Sequence, residues 1–257
     1  MTFSINVASL GRMPLPGPEV FWMSAWDEWF DSTFLMVVAR SENHVVVVNT
    51  GPPADLDTLN AGWKQFHPTG KVQMSRDESE RPEAILGRLG IDPAEVTHVV
   101  LSPAVIYTVG SLQMFPNAEF VISRRGWIED IMAPPYTPHL PREVFMPDDA
   151  LQYLLFEARD RLRLVTDGEI VPGLTVWDAG VHHRSSLAVC FETAKGQVVA
   201  TDAAMSYRNV EENIYLGIGE SYPEAMATYA RLREEADVLI PLYESAVLER
   251  HPGGVVA

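Results

Sequence analysis

Residues 97–121 read THVVLSPAVIYTVGSLQMFPNAEFV, and this stretch sets the expectation for the fold. Two β-rich runs lie on either side of a loop that contains Gly110. A loop that follows a strand on a rigid sheet is a frequent place for catalytic or binding residues. The loop nevertheless contains no histidine, no carboxylate and no cysteine. The sequence therefore predicts the shape of an active-site loop without its usual reactive side chains.

Further β-rich runs flank this stretch on both sides. Residues 34–40 (FLMVVAR) and 44–49 (HVVVVN) predict a hairpin, and the second run is apolar at consecutive positions, which indicates a strand buried on both faces. Residues 185–193 (SSLAVCFET) and 197–203 (QVVATDA) predict a second hairpin around the turn AKG.

Helical segments are interspersed with these strands. Residues 81–89 have Pro82 near the first turn and Gly90 after the end, and residues 221–236 begin with Ser221 as a helix cap. This order fits neither a strict strand–helix alternation nor an all-β sandwich. We expect an α/β protein with two mixed sheets and helices packed outside them, in a single domain that spans residues 1–257.

Composition excludes several classes of protein. The formal net charge of -16 disfavours nucleic acid and anionic membranes as partners, because phosphate groups would be repelled. The single cysteine, Cys190, excludes an internal disulfide framework and a zinc cluster built on cysteines. No apolar run approaches the roughly 18 residues of a membrane span, and no leader pattern is visible. A cytoplasmic protein is the expectation.

Several segments match a known family in order and spacing. Residues 44–51 (HVVVVNTG) are similar to the strand and turn LVDTG, and residues 196–203 (GQVVATDA) to a strand that ends in a bridging aspartate. Residues 236–254 (ADVLIPLYESAVLERHPGG) are similar to the closing segment PGHDP…LERYPGG. Together they resemble the metallo-β-lactamase superfamily, and within it the N-acyl-homoserine lactonase-like branch, from about Phe34 to the C-terminus. The resemblance implies a four-layer αββα sandwich.

The resemblance also implies a site for two metal ions, which this sequence does not reproduce. The family holds its ions through the motif HxHxDH, a His after a Gly, an Asp and a last His, and the ions generate hydroxide near neutral pH. The aligned positions hold Pro103, Val105, Tyr107 and Thr108 for the motif, Val181 and Tyr243 for the other histidines, Asn49 for the Asp of the LVDTG turn, and Asp202 as the one retained ligand. We therefore predict that the usual dinuclear zinc site is lost and that no cofactor is bound, with a single metal ion as the alternative that stays open.

The turn GVHHRSS offers other chemistry at the place of a family ligand. Neighbouring residues of an extended segment point to opposite sides, so at most one of His182 and His183 faces a pocket, and two half-exposed loop histidines are the alternative. A histidine beside a carboxylate is a general base, which favours Asp202 as its orienting group, although a carboxylate after a strand also caps turns. Arg184 and Tyr107 are candidates for stabilising negative charge.

Other side chains are candidates for contacting a substrate. Tyr243 adds a phenol at the pocket, and Tyr207 follows close behind the retained aspartate. His139 lies in the proline-rich loop APPYTPHLP, which we expect near the pocket. Trp26 lies in the aromatic stretch VFWMSAWDEWF, with two further tryptophans. That stretch is interpreted as a flap over an apolar substrate or a homodimer contact, with ordinary core as the alternative that we favour slightly.

Three functional hypotheses remain open. The first is a metal-independent hydrolase or lyase that acts on a small, partly apolar molecule such as a lactone or ester. It would use His182 or His183 as the base, Asp202 to orient that base, and Arg184 or Tyr107 to stabilise charge. The second is a non-catalytic binding protein or partner subunit that keeps the fold. The third is a hydrolase with a single metal ion held by His182, His183 and Asp202.

Overall fold

The computed structural model describes residues 2–67, 69–133, 145–180 and 182–257. Two sheets run through these residues. The strands are β1 (Ser4–Pro16), β2 (Trp29–Arg40), β3 (Val45–Val48), β4 (His98–Leu101), β5 (Glu119–Ser123), β6 (Leu162–Val165), β7 (Gly168–Val171), β8 (Leu174–Asp178), β9 (Leu187–Thr193), β10 (Gly196–Thr201) and β11 (Val238–Pro241). The first sheet has the order β1-β2-β3-β4-β5-β6, and the second has the order β11-β10-β9-β8-β7.

Both sheets are mixed. In the first, β1, β2 and β3 pair antiparallel, while β3, β4, β5 and β6 pair parallel. In the second, β10 and β11 pair parallel, and the other neighbours pair antiparallel. The helices are α1 (Gly17–Val20), α2 (Leu56–Phe66), α3 (Pro82–Arg88), α4 (Arg124–Gly126), α5 (Asp148–Gln152), α6 (Tyr207–Glu211), α7 (Tyr222–Glu235) and α8 (Ala246–Arg250). Among the described residues, none of these helices has the length and apolarity needed to cross a membrane.

Three apolar clusters fill the spaces between four layers. The middle cluster joins the inner faces of the two sheets, for example Val48 with Val189. A second cluster packs helices against the outer face of the first sheet, and a third packs α7, through Tyr229, against Cys190 of the second sheet. The predicted αββα sandwich is confirmed, since each sheet buries one face against the other sheet and one face against helices.

The predicted local elements follow from simple patterns. Strands β2 and β3 form the predicted hairpin, and all four residues of β3 are buried, as consecutive apolar positions indicate. Strands β9 and β10 form the second hairpin. Helix α7 begins where Ser221 caps it, with the serine side chain accepting a hydrogen bond from the Glu224 N–H.

The aromatic stretch after α1 differs from the expectation of ordinary core. Trp22 is 53% exposed, Trp26 is 64% exposed and Trp29 is 40% exposed, so the core interpretation is wrong for all three. They lie in the connection between α1 and β2 and at the start of β2, beyond the sheet interior. The homodimer contact suggested for this stretch stays a prediction.

The topology brings several strand ends to one edge of the sandwich. Because β3, β4 and β5 run parallel, the loops that follow them leave the sheet on the same side. The loop after β4 carries Tyr107, and the segments after β10 and β11 carry Asp202 and Tyr243. This edge therefore collects side chains that are far apart in the sequence.

Candidate functional site

A cavity of about 220 Å³ opens at this edge of the sandwich. Most of its wall is apolar or aromatic, with Phe34, Trp63, Phe145 and Met205 among the lining residues. Sites that hold drug-sized ligands measure about 300–1,000 Å³, so this cavity suits a smaller molecule. The titratable side chains among its lining residues are Glu19, His67, Tyr107, His182, His183 and Tyr243.

The Tyr107 hydroxyl lies between two imidazoles in the cavity wall. Its oxygen is 3.1 Å from Nε2 of His183 and 3.4 Å from Nε2 of His182. The two imidazole rings are close together, with centroids 4.1 Å apart. Both histidines therefore line the cavity, and the prediction that at most one of them faces a pocket is wrong, because residues 182–186 form turns and are not extended. Nδ1 of His182 lies 2.7 Å from the carbonyl oxygen of Ile218.

The contacts of this group fix where its protons lie. A carbonyl oxygen only accepts, so Nδ1 of His182 carries the proton and Nε2 presents a lone pair. Tyr107 can then donate its hydrogen to Nε2 of His182 while its oxygen accepts from Nε2–H of His183. This assignment satisfies both contacts of the hydroxyl with one hydrogen. The result is a directed chain of hydrogen bonds from His183 through Tyr107 and His182 to Ile218.

Burial keeps every member of this group uncharged. It lowers the pKa of His182 to about 4, against a smaller upward effect of the Ile218 carbonyl. It also lowers the pKa of His183 well below its ordinary value, and the neighbouring His182 adds to that effect. The pKa of Tyr107 is raised, again chiefly by burial. Near neutral pH the site thus offers a phenol and two neutral imidazoles.

Tyr243 forms the adjoining part of the cavity wall. Its ring packs edge-on against Phe34, with centroids 5.1 Å apart, and lies 5.7 Å from the ring of His182. Burial raises its pKa, and Tyr107 and Asp202 nearby raise it further. Its hydroxyl is buried next to the hydroxyl of Tyr107.

Two polar lining residues were missed in the sequence. Glu19 lies in α1 and His67 follows α2, and Nε2 of His67 is 3.3 Å from Oε1 of Glu19. Burial raises the pKa of Glu19 to about 7 and lowers the pKa of His67. Neither residue belongs to a recognisable motif, and they are far apart in the chain, so the sequence carries no pattern that would have paired them.

Some predicted site residues lie away from the cavity. Arg184 makes an ion pair with Glu220 at 2.9 Å and lies 3.4 Å from Glu129, so its guanidinium is engaged with carboxylates. Tyr207 begins α6, and its ring lies under the guanidinium of Arg250, 3.6 Å from the ring centroid. It lines a different cavity of about 360 Å³.

Two further residues, Trp26 and His139, were predicted to contact a substrate. Trp26 is exposed and is not among the lining residues of the 220 Å³ cavity. His139 lies outside the described residues. The structure thus brings together Tyr107, Tyr243 and both histidines of the turn, and leaves Trp26 outside this group.

Curated relatives of the chain are lactonases at low identity. No protein-family model matches the chain. An N-acyl homoserine lactonase of Bacillus thuringiensis is 24% identical over 199 residues, which cover 76% of this chain and 73% of the relative. An N-acyl homoserine lactonase of another Bacillus is 23% identical over 209 residues, which cover 80% and 78% of the two chains.

Solved structures of hydrolases share the architecture. An N-acyl homoserine lactone hydrolase, with its product N-hexanoyl-L-homoserine bound at a catalytic metal centre, matches 97% of both chains with a TM-score of 0.78 and 18% identity. A probable metal-dependent hydrolase of Staphylococcus aureus covers 94% of this chain and 89% of its own, with a TM-score of 0.71 and 13% identity. This chain has the metallo-β-lactamase fold. The predicted resemblance to the N-acyl-homoserine lactonase branch is confirmed as well.

In this metallo-β-lactamase fold, the loop that aligns with the metal motif is held by its own hydrogen bonds. The Thr108 hydroxyl donates to the Pro103 carbonyl at 2.6 Å and accepts from the Val105 N–H at 3.1 Å. Asn49 has a positive φ of 64° and pairs with both backbone groups of Ser102 through its amide, at 2.8 and 2.9 Å. An aspartate at this position would have lacked the N–H donor for the Ser102 carbonyl.

Asp202 is fully buried and binds two serines. One oxygen lies 2.6 Å from the Ser102 hydroxyl, and the other contacts the Ser186 hydroxyl. Ser102 also contacts the Leu187 carbonyl at 2.8 Å, and its single hydrogen cannot serve both acceptors. A protonated Asp202 resolves this conflict by donating to Ser102, in agreement with a pKa that burial raises to about 7. Asp202 therefore connects the loop after β4 to the turn that carries the histidines.

The donor chemistry at these positions can be compared with the needs of zinc. Zinc in proteins takes thiolate, imidazole and carboxylate ligands. Among the described residues, no group of three or more His, Cys, Asp and Glu side chains is placed to hold a metal ion. Both Nε2 atoms of the paired histidines contact Tyr107, and both oxygens of Asp202 contact serines. These side chains do not fit a dinuclear zinc centre as arranged.

Proposed function

We propose that this protein hydrolyses a small, partly apolar lactone or ester in the 220 Å³ cavity, by acid–base chemistry that does not use a dinuclear zinc site. The observation that carries the proposal is the Tyr107 hydroxyl held between His182 and His183 in the cavity wall. The likeness to lactonases supports the choice of a lactone or ester. The apolar lining supports an uncharged substrate with a hydrocarbon part.

The hydrogen-bond chain supplies both a base and a donor. A water molecule attacks the carbonyl carbon and passes a proton to the Tyr107 oxygen, while Tyr107 passes its own proton to Nε2 of His182. The carbonyl π electrons move to oxygen, and Nε2–H of His183 donates to that oxyanion. The bond from carbon to the leaving oxygen then breaks, and the alkoxide recovers the proton from His182 through Tyr107. The Ile218 carbonyl holds the tautomer of His182 that this step requires.

Asp202 positions the reacting side chains in this scheme and does not exchange a proton with them. Its described hydrogen bonds reach Ser102 and Ser186, and not an imidazole, so it fixes the two loops on which the reacting side chains stand. The orienting acceptor that the sequence suggested for a histidine is supplied by a backbone carbonyl, that of Ile218. Arg184 is not required for the step.

The test is turnover of γ-lactones and p-nitrophenyl esters after dialysis against a chelator, with the metal content of the protein measured. We expect activity to survive chelation, and Tyr107→Phe to lower kcat by about 100-fold or more, because general acid–base catalysis contributes roughly 10²–10⁴-fold. Tyr222→Phe is the matched control, because Tyr222 is exposed and is not among the lining residues. Activity that disappears on chelation and returns with zinc would refute the proposal, as would full activity in Tyr107→Phe.

A second candidate is a binding protein without turnover. The low pKa of both imidazoles favours it, because a buried histidine with a pKa of about 4 is a weak base. The same cavity would then hold a small apolar ligand against Tyr107 and Tyr243. Saturable lactone binding with no product, in the assay above, would support this candidate over the hydrolase.

A further inference from the structure

Two buried polar atoms of the cavity wall have no hydrogen-bond partner among the described residues. They are Oε2 of Glu19 and Nε1 of Trp63. The large majority of buried side-chain polar atoms in proteins are hydrogen-bonded, so two such atoms in one cavity wall call for an explanation. Each buried donor or acceptor that is left without a partner lowers the free energy of unfolding by about 1–3 kcal/mol. A ligand that supplies the partners would remove this cost.

Glu19 presents an acceptor at Oε2 whenever the proton of the Glu19–His67 pair lies between the two side chains. Its Oε1 faces Nε2 of His67 at 3.3 Å. In a neutral pair with the acid proton on Oε1, that proton points to the imidazole and Oε2 is the carbonyl oxygen. In an ionic pair, the imidazolium N–H points to Oε1 and Oε2 is a carboxylate oxygen. In these states Oε2 accepts, and the partner that it lacks is a hydrogen-bond donor.

The Glu19–His67 pair is separate from the group around Tyr107 but belongs to the same cavity. The ring of Trp63 lies between them, with its centroid 6.1 Å from the ring of His67 and 6.5 Å from the ring of Tyr107. The indole N–H of Trp63 is a donor without a partner. The cavity therefore has one polar group at Tyr107 and another at Glu19, with an apolar wall around them.

We propose that Glu19, held by His67, is a second polar subsite that binds a hydroxyl or amide N–H of an uncharged, mostly apolar ligand. The indole N–H of Trp63 offers a hydrogen bond to the oxygen of the same ligand group. The inference rests on the proposed function in one respect, that the same cavity takes the ligand. It adds that the ligand carries a hydrogen-bond donor besides its carbonyl.

The cavity volume sets the size of a suitable probe. A volume of about 220 Å³ corresponds to about seven water molecules at roughly 30 Å³ each. 1-Hexanol and 1-methoxypentane are isomers with the same number of heavy atoms, and both have an oxygen acceptor. Only the alcohol has a hydrogen-bond donor. Their difference in affinity therefore isolates the donor and does not depend on a lactone.

The experiment measures both dissociation constants by calorimetry or ligand-observed NMR at pH 7. We expect the wild-type protein to bind 1-hexanol about tenfold more tightly than 1-methoxypentane, the factor that one net hydrogen bond contributes. Glu19→Gln keeps an acceptor oxygen and should keep the preference. Glu19→Met has a similar length with only a weakly accepting thioether sulfur, so it should abolish the preference while still binding the ether. Glu42→Met is the control, because Glu42 is exposed in the turn between β2 and β3.

Three other results would overturn the assignment. Equal affinity for the two isomers in the wild-type protein, or no binding of either, would show that Glu19 does not recognise a donor. A preference that survives in Glu19→Met would assign the hydrogen bond to another group, such as Tyr107. An intact alcohol preference in a protein that fails to hydrolyse lactones would refute the proposed function alone, and leave this subsite standing.

Discussion

Replacement of Asp202 by asparagine tests the protonation state inferred from hydrogen counting. In the folded protein the pKa of Asp202 is raised to about 7 by burial, while its ordinary value is 3.8. Between these two values the folded state holds one more proton than the unfolded chain. Stability from this group is therefore fully present below about pH 4, falls as the pH rises, and is lost above about pH 7. The full difference corresponds to about 4 kcal/mol.

The asparagine variant reproduces the pattern of a protonated Asp202. Its amide NH₂ can donate to the Ser102 hydroxyl, and its amide oxygen can accept from the Ser186 hydroxyl, as in the wild-type contacts. Since asparagine does not titrate, the pH-dependent loss should be absent. We expect the free energy of unfolding of the wild-type protein, relative to Asp202→Asn, to fall by about 3 kcal/mol between pH 5 and pH 8.

Urea unfolding followed by circular dichroism at pH 5, 6, 7 and 8 measures this difference. Other titrating groups are common to both proteins, so their contributions cancel in the comparison. Asp27→Asn is the control, because Asp27 is exposed. Parallel curves for wild type and Asp202→Asn would contradict the reasoning, and so would a wild-type protein that gains relative stability with rising pH. Activity should be retained in Asp202→Asn, since the proposed reaction passes no proton through this residue.

Two further predictions concern the loop after β4 and the exposed aromatic stretch. Gly110→Ala should lower the free energy of unfolding by about 2–3 kcal/mol, because a Cβ would lie 2.3 Å from the Pro52 backbone. Gly87→Ala, with open space around it in α3, should raise the free energy of unfolding by about 0.5–1 kcal/mol. Urea unfolding of both variants measures the contrast, and equal effects would contradict it. If the stretch around Trp26 forms a homodimer contact, Trp26→Gln should shift the sedimenting species from dimer to monomer. The stability of the monomer should not change, since the side chain of Trp26 is 64% exposed. A wild-type protein that sediments as a monomer at all concentrations would refute the contact.

The sequence predicted strands and helices whose apolar residues repeat at a single spacing and whose ends carry turn or cap residues. It missed strand β1 and helix α2. Strand β1 was not predicted because its register shifts between Ser9 and Gly11 and because prolines occupy positions 14 and 16. Both features break the alternation of buried and exposed residues. An edge strand tolerates both features. Helix α2 was missed although Leu56, Leu59, Trp63 and Phe66 recur at helical spacing, because Gly62 lies in its interior and polar residues fill the rest of the segment.

The candidate site was predictable only where the chain resembles a family. The order of segments placed Tyr107, Tyr243 and the histidine turn at one edge, and the structure brings them to one cavity. The orienting role of the Ile218 carbonyl could not be predicted, because any residue can supply a backbone carbonyl. Glu19 and His67 come from two helix-associated segments whose relative position depends on the whole fold.

The distribution of unmade hydrogen bonds argues that the cavity is a working site. A metal site that had merely decayed would be expected to leave unpartnered polar groups at the positions that align with the family's ligands. Instead, Thr108 and Asp202, at two such positions, are hydrogen-bonded, while the unpartnered atoms of Glu19 and Trp63 belong to cavity-lining residues that align with no family ligand. Unpaired polar groups reduce stability, so a ligand that pairs with these two atoms would recover the stability that they cost.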